Sequence, residues 1–113
     1  MHAPPQLSPE RLARVVKHVE LHFQTIENVR ELADVAALST FHFCRLFRDT
    51  MGMTPMRYVW EHRVQRAQCM LRNSTASLAH IAADCGFRSQ SHFTTRFKLI
   101  TGVTPAVFRS VGH

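Results

Sequence analysis

The stretches 42–58 and 92–108 carry one apolar pattern written twice, so the chain must fold as two like units. His42 and His92, Phe43 and Phe93, Phe47 and Phe97, Gly52 and Gly102, Thr54 and Thr104, and Pro55 and Pro105 each stand 50 residues apart. Arg48 answers to Lys98, and Tyr58 to Phe108. Upstream the spacing falls to 49, where Leu32-Ala33 faces Ile81-Ala82 and Leu38 faces Phe87. A one-residue difference in a tight turn accounts for the slip. Each copy reads as a short helix, a turn, and a longer helix with Phe-x-x-x-Phe on one face. That is the helix-turn-helix plan. A protein-binding solenoid is the competing reading, but solenoids stack three or more repeats, and two copies joined by a stiff helix suit that poorly.

Helical periodicity recurs along the chain and strand alternation does not, so the expected fold is all-α. It should hold about seven helices, as two helix-turn-helix subdomains joined by a long linker helix. Ser8 caps the first helix with Pro9 at its first position. Leu12, Val15, Val16, Val19 and Phe23 then form one apolar stripe. Asn28 caps a short second helix, with Glu31 as its capping-box partner. Ser39 caps the third, which runs to about Met51, where Gly52 stops it. Thr54-Pro55 opens a linker helix to about Leu71, a rod of roughly 25 Å. Ser77 caps the fifth helix, ended by Gly86, and Ser89 caps the sixth, ended near Gly102. Pro105 opens a last short helix to Arg109. The expected division is a disordered tail over 1–7, a first subdomain over 8–53, the linker over 54–72, a second subdomain over 73–110, and a tail over 111–113.

The net charge of +6 is unevenly spread. Residues 1–39 hold four basic and five acidic side chains, whereas 40–72 hold six arginines against Asp49 and Glu61. Residues 86–109 hold Arg88, Arg96, Lys98 and Arg109 and no acid. Two basic segments coinciding with two helix-turn-helix patterns are the footprint expected of a protein that grips a polyanion. No apolar run approaches the roughly 20 residues that span a bilayer, and the opening Met1-His2-Ala3-Pro4-Pro5 lacks the pattern of a secretory signal. A cytoplasmic protein without membrane contact, associated with the nucleoid through DNA, is expected. Cys44, Cys69 and Cys85 lack Cys-x-x-Cys spacing and are expected as buried thiols rather than a zinc site or disulfides. His18 and His22 share a helix face but have no evident third ligand, so neither metal nor cofactor is expected. No nucleophile–base–acid set is present, so the chain is not expected to be an enzyme.

Angular arithmetic at about 100° per residue sorts the faces of the two longer helices. In the third helix Phe43, Leu46 and Phe47 mark the core side, and Phe41, Cys44, Arg45 and Arg48 lie opposite. In the sixth, Phe93, Phe97 and Ile100 face the core, and Ser91, Thr94, Thr95 and Lys98 lie opposite, with Gln90 at the edge. The base-reading candidates are therefore Phe41, Cys44, Arg45, Gln90, Thr94 and Thr95. Arg45 suits guanine O6 and N7, Gln90 suits adenine, and Phe41 and the threonines suit the thymine methyl. Thr40, Arg48, Ser89, Ser91, Arg96 and Lys98 are the candidates for phosphate contacts.

The second repeat carries Ile81-Ala82, Gly86-Phe87, Ser89, Phe93, Phe97-Lys98, Gly102, Thr104-Pro105 and Phe108-Arg109. In these residues it resembles the DNA-binding domain of the AraC/XylS family of bacterial transcription regulators. The resemblance covers about residues 8 to 110; the first repeat is looser, with Leu38 in the turn and Cys44 at a position the family often uses for DNA contact. It implies a seven-helix, two-lobed domain whose linker holds the recognition helices, about 39–51 and 89–101, one DNA turn apart, inserted in successive major grooves. Entries into adjacent major grooves on one face lie about 34 Å apart. It also implies an asymmetric promoter site, a monomeric domain, and activation through contact with RNA polymerase. The short stretch ahead of the first helix suits a stand-alone regulator of the MarA/SoxS type or a fragment of a longer one. A different class of function, an adaptor of the transcription machinery without intrinsic DNA sequence specificity, remains the alternative.

Overall fold

A computed structural model describes residues 5–111. Among them are seven helices and no strand: α1 (Pro9–His22), α2 (Val29–Val35), α3 (Thr40–Met51), α4 (Pro55–Asn73), α5 (Leu78–Asp84), α6 (Gln90–Thr101) and α7 (Pro105–Val111). The chain divides into two compact units, Met1–Val59 and Trp60–His113, and the division falls inside α4. The all-α expectation holds, and α2–α3 and α5–α6 are the two helix-turn-helix pairs.

Helix starts follow the expected caps. The side-chain oxygens of Ser8, Asn28, Ser39, Ser77 and Ser89 each accept the backbone N–H three residues on. Each bond satisfies one of the donors that a helix start leaves without an intrahelical partner. Thr54 and Thr104 do the same for Arg57 and Val107. Gly52 and Gly102 close α3 and α6 in the left-handed region, at φ 74° and 87°. A side chain there would be strained, which is why the repeat retains glycine at both places.

In the first unit Val15, Val19, Leu32, Ala33, Phe43, Phe47 and Val59 are fully buried and form one core. Phe47 sits 5.6 Å from Phe43 and 5.7 Å from Tyr58, ring centre to ring centre. In the second unit Val64, Ala67, Ile81, Ala82, Phe93 and Phe97 fill the equivalent core. There Phe97 lies 5.6 Å from Phe93 and 5.4 Å from Phe108. The correspondence of Tyr58 with Phe108 is thus a shared packing role. Emptying any of the four phenylalanine sites would cost about 3–5 kcal/mol.

Several local expectations need correction. Leu7, expected within a disordered tail, is buried and donates its N–H to Thr50 Oγ1 at 2.9 Å. The rest of that tail up to residue 4 lies outside the described residues. The linker helix runs two residues beyond Leu71, to Asn73, and α7 continues past Arg109 to Val111; residues 112–113 lie outside the described residues. The Glu31 carboxylate does not complete a capping box but meets His18 Nε2 at 2.7 Å, tying α2 to α1. Of the cysteines only Cys85 is buried; Cys44 is half-buried and Cys69 exposed.

Candidate nucleic-acid interface

The turn between α2 and α3 is the tighter of the two. Ala37 adopts φ 58°, a left-handed conformation rare for a residue with a side chain, and the Leu38 N–H returns to Ala33 O at 3.0 Å. In the second unit Gly86 takes the equivalent place at φ 91°, and the Phe87 N–H returns to Ala82 O at 2.9 Å. The second turn then inserts Arg88 before the capping serine, and this is the extra residue behind the 49-to-50 slip. Both turns deliver a serine-capped helix whose phenylalanines point inward.

In the first unit the side of α3 away from Phe43 and Phe47 is open. Phe41 is 80% exposed, a large aromatic surface with no core to cover it. Thr40, Arg45 and Arg48 are exposed as well, and Cys44 is half-buried between them. In the second unit Gln90, Ser91, Thr95 and Lys98 are exposed on α6. The partition of faces drawn from helical periodicity matches the exposure of Phe41, Arg45, Arg48, Ser91, Thr95 and Lys98, whereas Cys44 and Thr94 are half-buried.

Three of the candidates are already engaged within the fold. Thr94 is half-buried and donates its hydroxyl to Gln90 O at 3.0 Å, which leaves its methyl and an accepting oxygen to present. Ser89 Oγ accepts the His92 N–H at 3.0 Å as the cap of α6. Arg96 is half-buried, its guanidinium carbon 5.0 Å from the centre of the Trp60 ring, a cation–π distance. Arg109, counted with the second basic segment, is a structural pin. Its guanidinium donates to Leu71 O at 3.3 Å, Ala76 O at 2.7 Å and Ser74 O at 3.2 Å, clasping the end of α4 and the turn after it.

A cluster that the repeat does not mark lies at the start of α6. Trp60 meets His92 edge-on at 5.0 Å and Phe87 at 5.5 Å, and Arg63 lies over the Trp60 ring at 4.4 Å. Arg63 is buried, and burial pulls its guanidinium below the ordinary arginine range. The readable signal was the spacing Ser89-x-x-His92, which puts an acceptor side chain where a capping box holds Glu or Gln.

Two like units, each offering a serine-capped helix whose exposed side carries polar side chains and at least one cation, define a helix-turn-helix module of the nucleic-acid-binding class. A family model described as a helix-turn-helix domain matches residues 32–110. LumQ of Photobacterium leiognathi, named a probable transcriptional regulator, is 35% identical over 102 residues, which are 88% of this chain and 41% of LumQ. The transcriptional activator RhaS of Escherichia fergusonii is 35% identical over 99 residues, covering 88% of this chain and 36% of RhaS. The chain thus spans well under half the length of these relatives. Among solved structures, the DNA-binding domain of the global transcriptional factor AdpA, determined with a target DNA, is 31% identical with a TM-score of 0.81. That match covers 91% of this chain and 92% of the AdpA domain. A transcriptional regulator with an AraC-type DNA-binding domain from Chromobacterium violaceum is 27% identical with a TM-score of 0.81, over 89% of this chain and 90% of that one. The chain belongs to the AraC-type helix-turn-helix family of transcription regulators. That family comprises regulators, not enzymes. No helix among the described residues is long and apolar enough to cross a membrane.

Proposed function

We propose that this chain binds a specific duplex DNA site by laying the outer faces of α3 and α6 into successive major grooves. The observation that carries the reading is the duplicated reading face: two unlike sets of polar side chains at matching positions of two like units. Arg45 would read guanine, Gln90 adenine, and Phe41 with the Thr94 and Thr95 methyls the thymine methyl, with Cys44 against a base edge. Thr40, Arg48, Ser91 and Lys98 would hold phosphates, as would the Ser89 hydroxyl proton and the exposed part of Arg96. Because the two faces differ, a single chain would prefer an asymmetric site. The AdpA domain was solved in complex with a target DNA, which supports binding to DNA. Activation through contact with RNA polymerase, action as a monomer, and residence in the cytoplasm on nucleoid DNA belong to the same proposal. RhaS, an activator by name, supports the first of these.

The test is fluorescence anisotropy on a duplex that the chain selects from a random pool. The reading expects binding that survives excess competitor DNA at moderate salt. Nonspecific association instead fades steeply as salt rises and is erased by competitor. A chain that selects no sequence, or loses its duplex to random competitor, refutes the proposal.

A further inference from the structure

The insertion of Arg88 gives the second turn one backbone N–H more than the first, close to the start of a reading helix. That N–H lies at an exposed position, where water or a side chain can accept it. His92 supplies the acceptor: the Arg88 N–H donates to His92 Nδ1 at 3.2 Å, while the His92 N–H donates to Ser89 Oγ at 3.0 Å. His92 stands where a capping box holds Glu or Gln, but its ring takes the N–H of Arg88, one residue before the capping Ser89. The arrangement requires an unprotonated Nδ1, since a ring nitrogen that carries a proton accepts nothing. The first unit has no counterpart. His42 is exposed, its N–H goes to Ser39 Oγ at 3.2 Å, and its ring makes no corresponding bond among the described residues.

Aromatic rings and cations surround His92. Trp60 comes from α4 at 5.0 Å and Phe87 from the turn at 5.9 Å. The charged groups acting on the ring are Arg63 from α4, Arg88 from the turn and Arg96 from α6 itself, all positive. An imidazolium at this place would therefore lose its hydrogen bond, sit at the positive end of the α6 dipole, and meet three guanidinium groups.

Resting on the DNA reading above, we propose that neutral His92 is a positioning residue for sequence recognition by the second unit. By holding the Arg88 N–H it fixes the entry into the first turn of α6, which carries Gln90 and Ser91, and protonation releases that turn. Burial first, then Arg96, Arg88 and Arg63, lower the pKa of His92 below its ordinary 6.5. The neutral form thus prevails at neutral pH, and the anchor fails only as pH falls through that lowered value, beneath the 6.5 of a free imidazole. Added positive charge strengthens nonspecific attachment to phosphate while the ordered turn is lost. Acid should therefore reduce the ratio of specific to nonspecific affinity.

The experiment measures that ratio from about pH 7.5 to about pH 5 for the wild-type chain, His92→Gln and His92→Ala, on the duplex the wild type selects. Charging of the other histidines is common to all three proteins and cancels in the comparison. The wild-type ratio should fall roughly fivefold, the effect of a lost helix cap. Gln keeps an acceptor oxygen that does not titrate, so His92→Gln should hold the ratio level; His92→Ala should be low throughout. Nitrogen-15 spectra of the free wild-type chain should show an unprotonated Nδ1 at neutral pH. Identical profiles for wild type and His92→Gln, or a proton on Nδ1 at neutral pH, overturn this inference alone. A wild-type chain that selects no duplex overturns the DNA reading and this inference with it.

Discussion

Replacing Arg109 with alanine removes three hydrogen bonds that link α7 to the end of α4 and the turn at 74–76. Their lengths are 2.7 Å to Ala76 O, 3.2 Å to Ser74 O and 3.3 Å to Leu71 O. A hydrogen bond from a charged donor is worth about 1.5–3 kcal/mol when well shielded. Only the first is short enough for the upper part of that range, and the bond to Ser74 is exposed, so water recovers much of its loss. The expected destabilisation is about 2–3 kcal/mol, below the sum of three strong bonds. Lysine offers a point charge without the planar fork and should restore less than half of it. Trp60 is the single tryptophan and lies in the second unit, so its fluorescence during urea unfolding follows that unit. The midpoint should fall with the slope unchanged. A loss under about 0.5 kcal/mol, within ordinary surface variation, or a lysine variant equal to wild type, would refute the clasp as a stabilising device.

Ala37 occupies left-handed backbone at φ 58°. That conformation costs about 1–2 kcal/mol, of which unfolded-state entropy takes back about 0.4–1 kcal/mol. Ala37→Gly should therefore stabilise the first unit by about 0.5–1 kcal/mol in thermal unfolding followed by circular dichroism; a lowered midpoint would contradict it. Burial pushes the Cys85 thiol up to about 11, with Asp84 adding to the rise and Arg66 opposing it. Since the thiolate is the reactive form, Cys69 should react with a thiol reagent at neutral pH and Cys85 only after unfolding. Equal rates in the folded chain would show the packing around Cys85 to be wrong. Arg45→Ala should relax preference at one base pair by about 1–3 kcal/mol, whereas Lys98→Ala should weaken all duplexes alike and reduce the salt slope by about one. Indistinguishable behaviour of the two variants would refute the division between base-reading and phosphate-holding residues.

What the sequence revealed and what it hid divide by distance along the chain. Caps act over three residues, so Ser8, Asn28, Ser39, Ser77 and Ser89 announced their helices. Phe-x-x-x-Phe acts over one helical turn, so Phe43, Phe47, Phe93 and Phe97 identified the inner faces and, by subtraction, the exposed side holding Arg45 and Thr95. Contacts between distant segments left no such mark. The Arg109 clasp reaches back 38, 33 and 35 residues to its three carbonyls, so Arg109 read as one more surface cation. Leu7 meets Thr50 across 43 residues, a contact that no local pattern signals. Glu31 sat at capping-box spacing, yet His18, 13 residues earlier, holds its carboxylate. Trp60 lies outside the repeat, so no pattern marks it, although it gathers Phe87, His92, Arg63 and Arg96 around its ring.

Sequencing the duplexes that the chain retains from a random pool, in parallel for wild type, Arg45→Ala and Gln90→Ala, tests most directly whether both units read one duplex. Two unlike blocks of preferred bases should emerge, their centres about one helical turn apart, with Arg45→Ala blurring one block and Gln90→Ala the other. A single short block, or two variants that blur the same positions, would show that only one helix reads sequence.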